Sequence, residues 1–316
     1  MTAPSPPKVS TSLLTALLDQ IDGVIFGKRE VIRQAVIALL AQGHILLEDV
    51  PGTGKTSLAR ALARSIGGTF QRVQFTSDLL PTDVLGVNLY SMQDERFEFH
   101  AGPIFHNVVL ADELNRTSPR TQSSLLEAMS ENRISVDGVS RDLPQPFFVI
   151  ATQNPVEFEG TYPLPESQLD RFMVRLSLGY PNREASAQIL SRPDLKQDIA
   201  DLKPVMELNQ LQTLMKNVPR IRVDSSLVEY ILDLIDATRT SPQLALGASM
   251  RAAVDLQRAG QARALLDGRP YLIPDDIKAL FLPIVSHRVI LAPMSQTDVD
   301  TDEVLIKILN SITAPE

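Results

Sequence analysis

Two glycines, a lysine and several hydroxyl residues stand together in Asp49-Val50-Pro51-Gly52-Thr53-Gly54-Lys55-Thr56-Ser57, a grouping suited to holding a polyphosphate. Gly52 and Gly54 lack bulky side chains, so backbone N–H groups can wrap the anion at the start of a helix. Lys55 then neutralises charge on the β- and γ-phosphates, and Thr56 offers an oxygen to a phosphate-bound magnesium ion. Loops of this kind usually open on glycine. Here that position is Asp49, a residue that also tolerates unusual backbone angles.

A second group, Asp112-Glu113, closes the apolar run Asn107-Val108-Val109-Leu110-Ala111. One carboxylate there can hold a magnesium shell, and the next can polarise the water that attacks a γ-phosphate. Acids closing a buried strand are costly without a charge partner, which favours a functional reading beside a phosphate loop. Asn154 closes another apolar run, where its amide can orient the same water; before Pro155 it also reads as a turn former. Arg171 and Arg251 are candidate cations, and each taken alone also reads as a surface ion-pair residue. The histidines at 44, 100, 106 and 287 show no metal-ligand spacing and read as ordinary.

These residues need a scaffold, and the hydrophobic pattern supplies one. His44-Ile45-Leu46-Leu47 reads as a buried strand entering the loop, and Ser57-Leu58-Ala59-Arg60-Ala61-Leu62-Ala63 as the helix leaving it. Further strands are expected at Phe70–Thr76, Asn107–Glu113, Phe147–Thr152 and Phe172–Leu176, separated by helices, which makes a mainly parallel sheet covered on both faces. Arg96–His100 and Arg133–Arg141 alternate like hairpin strands, the second around Asp137-Gly138. Ser118 and Pro119 open a helix as N-cap and first residue. Before the loop, Leu13 to Ile21 and Val31 to Leu40 carry helical spacing around Val24-Ile25-Phe26-Gly27-Lys28. That stretch reads as a glycine turn or as a base contact. After about Pro181 the pattern is helical only, with apolar faces at Leu227–Ile235, Ala252–Leu266 and Val304–Leu309.

The bulk properties are those of a globular chain. With 316 residues there is room for one large domain and a smaller one, and 22% charged with 44% apolar residues is far from a disordered composition. No apolar run is long enough to cross a membrane, and Met1–Pro7 lacks the core of a signal peptide and reads as a flexible tail. Zero cysteines exclude disulfides, thiolate metal sites and cysteine nucleophiles, and fit a cytoplasmic location. A net charge of -8 argues against nucleic acid as partner.

Taken together, Leu47–Thr56, Leu110–Arg116, Ala151–Pro155 and Leu164–Phe172 resemble the MoxR-type AAA+ ATPases, and the resemblance covers nearly the whole chain. It extends to Leu246–Ala252, although Met250 stands where proline or threonine is more usual. The resemblance implies an α/β fold with five strands in the order 5-1-4-3-2 and a C-terminal all-α lid, with nucleotide between the two. The expected division is 1–20 for the tail and start of the first helix, 21–180 for the nucleotide-binding domain and 181–316 for the lid. ATP and Mg2+ are the implied cofactors. Thr56 and Asp112 would serve the metal, and Glu113 hydrolysis. Asn154 becomes the first sensor, Arg251 the second, and Arg171 a finger reaching the site of an adjacent subunit. Ile25 and Gly27 would contact the adenine side. The implied assembly is a homo-oligomeric ring, commonly hexameric, remodelling or maturing partner proteins, often with a von Willebrand factor A-domain protein. A metal-chelatase ATPase subunit and a nucleic-acid motor are the alternatives with the same core.

Overall fold

A computed structural model describes residues 8–154, 160–192, 194–293 and 300–315; Met1–Pro7 and Pro155 fall outside them. Five parallel strands form the central sheet: β1 (Ile45–Glu48), β2 (Phe70–Gln74), β3 (Val108–Asp112), β4 (Phe148–Gln153) and β5 (Val174–Leu176). Their spatial order is β2-β3-β4-β1-β5, which from the other edge is the expected 5-1-4-3-2. β1 is central, with Ile45 paired to Ile150 on one side and to Val174 on the other.

The continuous apolar strands follow from burial on both faces. Leu46, Val109 and Val149 point to one core with Leu125 and Phe172. Ile45, Leu47, Leu110 and Ile150 point to the other, which continues without a break into the C-terminal helices through Leu256 and Phe281. The helices flanking the sheet are α1 (Lys8–Asp22), α2 (Arg29–Leu40), α3 (Lys55–Ser65) and α4 (Pro119–Glu131). Ser118 caps α4 by accepting from Thr121 N, with Pro119 at the first position. The hairpins are Gly86–Ser91 with Arg96–Ala101, and Arg133–Val136 with Val139–Asp142. Asp137 and Gly138 both take positive φ (52° and 77°), as a two-residue hairpin turn demands.

The C-terminal part contains α5 (Arg183–Leu190), α6 (Ser225–Thr240), α7 (Met250–Leu266), α8 (Pro274–Val285) and α9 (Thr301–Ser311). It is not helical alone: Leu244–Leu246 pairs antiparallel with Ile290–Leu291. These segments are too short for strand periodicity to stand out in the sequence. The contacts of the later helices set where they sit. α8 packs beside β5, and Arg288 and His287 beyond it both reach Phe172 O, at the amino end of that strand. Helices α7 and α8 are therefore fastened to the edge and amino end of the sheet, away from the carboxyl end where β1 delivers its loop.

Candidate functional site

At the carboxyl end of β1 the chain turns through Gly52 (φ +84°) and Gly54 (φ +99°) into α3, whose first residue is Lys55. A Cβ at either glycine would meet no atom within 4 Å, so the backbone angle, not crowding, requires glycine, and the loop opens onto free space. Lys55 Nζ donates to Asp49 O at 2.8 Å and Val50 O at 3.4 Å, inside its own loop. Thr53 Oγ1 donates to Val50 O at 3.4 Å and closes the turn.

Asp49 has no positive φ, so backbone tolerance is not why aspartate opens this loop. Its buried carboxylate accepts from Ser177 Oγ (2.8 Å), Leu178 N (2.6 Å) and Gly179 N (2.8 Å). Aspartate here ties the phosphate loop to the segment leaving β5, a contact no local sequence rule reveals.

Asp112 ends β3, and Glu113 follows in the left-handed region (φ 57°, ψ 48°). For a residue with a side chain that conformation costs about 1 kcal/mol, and such strain concentrates at functional sites. Asp112 Oδ1 accepts from Thr152 Oγ1 at 2.6 Å, and Thr152 Oγ1 accepts from Glu113 N at 2.9 Å, so β4 fixes both acids. Asp112 Oδ2 is held by Arg72 Nη2 at 2.5 Å and Nε at 3.0 Å. Glu113 Oε2 accepts from Gln74 Nε2 at 2.7 Å and lies 3.1 Å from Arg116 Nε. The charge partners that the buried Asp112 and the partly buried Glu113 demand are thus present.

A single cavity of about 350 Å3 collects Pro51, Gly52, Gly54, Lys55, Thr56, Ser57, Asp112, Glu113 and Asn154. Arg72 and Thr152 line it too, and neither was expected from the sequence. The signal for Arg72 and Gln74 was their spacing of two on a strand, which places both on the face toward its neighbour's terminal acids. Among the described residues no cluster of three or more His, Asp or Glu side chains could cage a metal ion. Thr56 and Asp112 beside the open glycine cradle are hard oxygen donors of the kind that would suit magnesium if phosphates supplied the remaining ligands.

Ile25 and Gly27 are not in this cavity. Ile25 is buried, and Gly27 (φ +69°) lines a separate cleft of about 670 Å3 with Phe26, Asn182, Ala185 and Arg192. The Arg192 guanidinium stacks 5.1 Å from the Phe26 ring centre. α5 and its cap Asn182 thus close over Gly27, while among the described residues no side chain of the C-terminal helices lines the phosphate cavity. The Ser177–Gly179 segment held by Asp49 leads directly into this cleft.

Arg171 and Arg251 lie at the other end of the sheet. Arg171 Nη1 donates to Leu126 O (2.7 Å) and Ser130 Oγ (3.1 Å), in the carboxyl-terminal half of α4. Ser249, the N-cap of α7, donates to Asp170 Oδ1 at 3.0 Å, which brings the exposed Arg251 beside the same segment. His44, the residue before β1, feels the Arg251 charge; burial first and that charge second lower its pKa to about 4. The ring stays neutral, with Nε2 donating to Met129 O and Nδ1 accepting from Val149 N, both at 3.1 Å. β1 separates His44 from the phosphate loop by roughly 13 Å at strand spacing. Arg251 is therefore remote from its own chain's cavity, contrary to a sensor reading the nucleotide from within one subunit. The cause is the bundle's attachment to the amino end of the sheet.

The family described as "ATPase family associated with various cellular activities (AAA)" matches residues 44–174, and the AAA lid domain matches 236–308. Chaperone MoxR1 of Mycobacterium tuberculosis is 37% identical over 94% of this chain and 81% of its own length. Protein MoxR of Methylorubrum extorquens is 32% identical over 87% of each chain. The uncharacterized protein YeaC of Bacillus subtilis is 47% identical over 96% of this chain and 95% of its own. A crystal structure from Cytophaga hutchinsonii, classed provisionally as an ATPase, superposes with a TM-score of 0.91 at 34% identity, covering 98% of this chain and 96% of that one.

Proposed function

Since the chain belongs to the MoxR family of AAA+ ATPases, we propose that it hydrolyses ATP with Mg2+ in sites completed by neighbouring copies, and uses the turnover to remodel partner proteins. The observation that carries this reading is the single cavity joining the glycine cradle, Lys55 and Thr56 to the acid pair. In it Lys55 leaves its loop carbonyls for the β- and γ-phosphates, which offer it full negative charge. Thr56 and Asp112 would hold the magnesium ion, which would supply countercharge to the phosphates. Glu113 polarises the attacking water, and Asn154, at the end of the adjacent strand, orients it. The base end of the nucleotide belongs to the cleft lined by Gly27, with Ile25 buried beside it in sequence, reached along the Asp49-tied segment.

Arg171 and Arg251 share a face at the sheet end opposite this cavity, so each is assigned to the site of the next subunit in a homo-oligomeric ring, commonly six copies in this family. The partner assignment, a von Willebrand factor A-domain protein, rests on family resemblance alone. Among the described residues no helix is long and apolar enough to cross a membrane.

Glu113→Gln tests the chemistry. It keeps shape and hydrogen bonding yet loses the base, so phosphate release should fall by about 10²-fold or more while binding of a fluorescent ATP analogue persists. Equal turnover in variant and wild type, or no Mg2+-dependent turnover in the wild type, ends this reading.

A further inference from the structure

Asp112 is the better buried member of its ion pair: its side chain is 12% exposed against 48% for Arg72. Both carboxylate oxygens are engaged, Oδ1 by the buried Thr152 hydroxyl and Oδ2 by two nitrogens of the guanidinium. Thr152 is fixed in β4 and completely packed, whereas Arg72 reaches in from solvent on a flexible stem. Gln74, two residues along the same strand, steadies it by accepting from Arg72 Nη2 at 2.9 Å. The charged head therefore stands in the phosphate cavity, on the very oxygen that the metal-side acid needs.

From this geometry we propose that Arg72 is a resident counter-cation for Asp112, holding that acid until a metal–nucleotide complex displaces it. The inference rests on the ATPase reading above and adds a positioning residue to it. A nearly buried carboxylate next to a second one is costly when its charge is unmatched, and Arg72 removes that cost while the cavity holds no cation. A pair whose cation is half open to water is also cheaper to separate than one sealed on both sides, as an exchange requires. The freed guanidinium remains at the cavity wall, where phosphate oxygens are partners at least as good as the one it leaves. The consequence is competition: Arg72 must leave Oδ2 before that oxygen can serve a divalent cation, so the apparent metal affinity of the site is lowered by the strength of the pair.

The experiment measures the Mg2+ concentration that half-saturates binding of a fluorescent, non-hydrolysable ATP analogue to the full-length protein. Arg72→Gln should move that midpoint down about five- to tenfold, the range expected for losing a charge-assisted, half-exposed pair. Arg72→Lys keeps the charge without the two-nitrogen grip and should move it down about two- to threefold, which also carries the test should the glutamine variant not fold. A midpoint at or above the wild-type value, in a variant that melts like the wild type, overturns the proposal. So does weaker binding at every Mg2+ concentration with an unmoved midpoint, which makes Arg72 a phosphate ligand or a packing group. A wild-type protein without Mg2+-dependent binding is a failure of the ATPase reading, visible before any variant is compared.

Discussion

At the carboxyl end of the sheet the cations lining the cavity stay accessible and exchangeable. Lys55 rests on the carbonyls of its own loop, and the half-exposed Arg72 covers Asp112. At the amino end the charges that join the two parts of the chain are sealed. Arg288, 1% exposed at its side chain, binds Asp255 at 2.7 Å and Phe172 O at 2.7 Å, beside the buried His287. Groups that must change partners during turnover are kept in water, where breaking an ion pair is cheap. Groups that hold helices against a sheet are buried, where breaking one is expensive. The two ends also divide the proposed chemistry, with phosphate loop and acids at one and the arginines at the other.

The sharpest way to break this division is to remove an arginine from the far end. Arg171→Ala should leave ATP binding intact and lower turnover by about 10³-fold, the scale of an arginine finger. Mixing it with Lys55→Ala subunits, which bind no ATP but keep their arginine, should restore activity; if labelled subunits exchange and the mixture stays dead, the division of labour is wrong. Arg251→Ala is predicted to leave the nucleotide affinity of isolated subunits unchanged, and a loss there would return it to its own chain's site.

A smaller effect tests whether the carboxyl end has its own rigid anchor. Asp49→Ala strands the Leu178 and Gly179 amides and should cost roughly 3 kcal/mol in urea unfolding, with weaker ATP binding. Asp49→Asn, which can keep part of the acceptor set, should lose less. A change below about 0.5 kcal/mol would mean the loop owes nothing to that carboxylate.

The smallest effect probes the amino end through pH. Burial pushes His287 down to about 3, with the Arg288 charge adding to it, and His44 down to about 4. Both folded values lie below the unfolded one, so the unfolded chain takes up protons first as pH falls. The contribution is complete above pH about 6.5 and is lost progressively toward the folded values. At pH 5 each histidine should cost roughly 2 kcal/mol relative to neutral pH. His287→Asn, which can still donate to Phe172 O, should remove about half of the part due to these two rings; urea unfolding at pH 7.5 and 5 measures it, and an unchanged pH dependence would contradict the assignment.

Much of this molecule was legible from local rules. Strand burial on both faces wrote itself into uninterrupted apolar runs. The loop glycines, Lys55, Thr56 and the Asp112-Glu113 pair all sit within short segments whose chemistry is readable from neighbours in the chain. The Asp-Gly hairpin and the Ser118-Pro119 helix start belong to the same class, because a backbone angle or a cap depends on adjacent residues. The strand order came from the family resemblance, and what local rules could not decide was which side chains distant along the chain meet. Asp49 is an anchor because Ser177–Gly179 comes back to it, and Arg72 matters because β2 lies against β3. Arg251 proved remote from the phosphate loop because Ser249 and Arg288 fasten the bundle to the amino end of the sheet. Periodicity and spacing encode which face a residue presents and how the chain bends. Which surfaces then meet is set by packing and buried hydrogen bonds between segments far apart in sequence, and only the folded chain shows it.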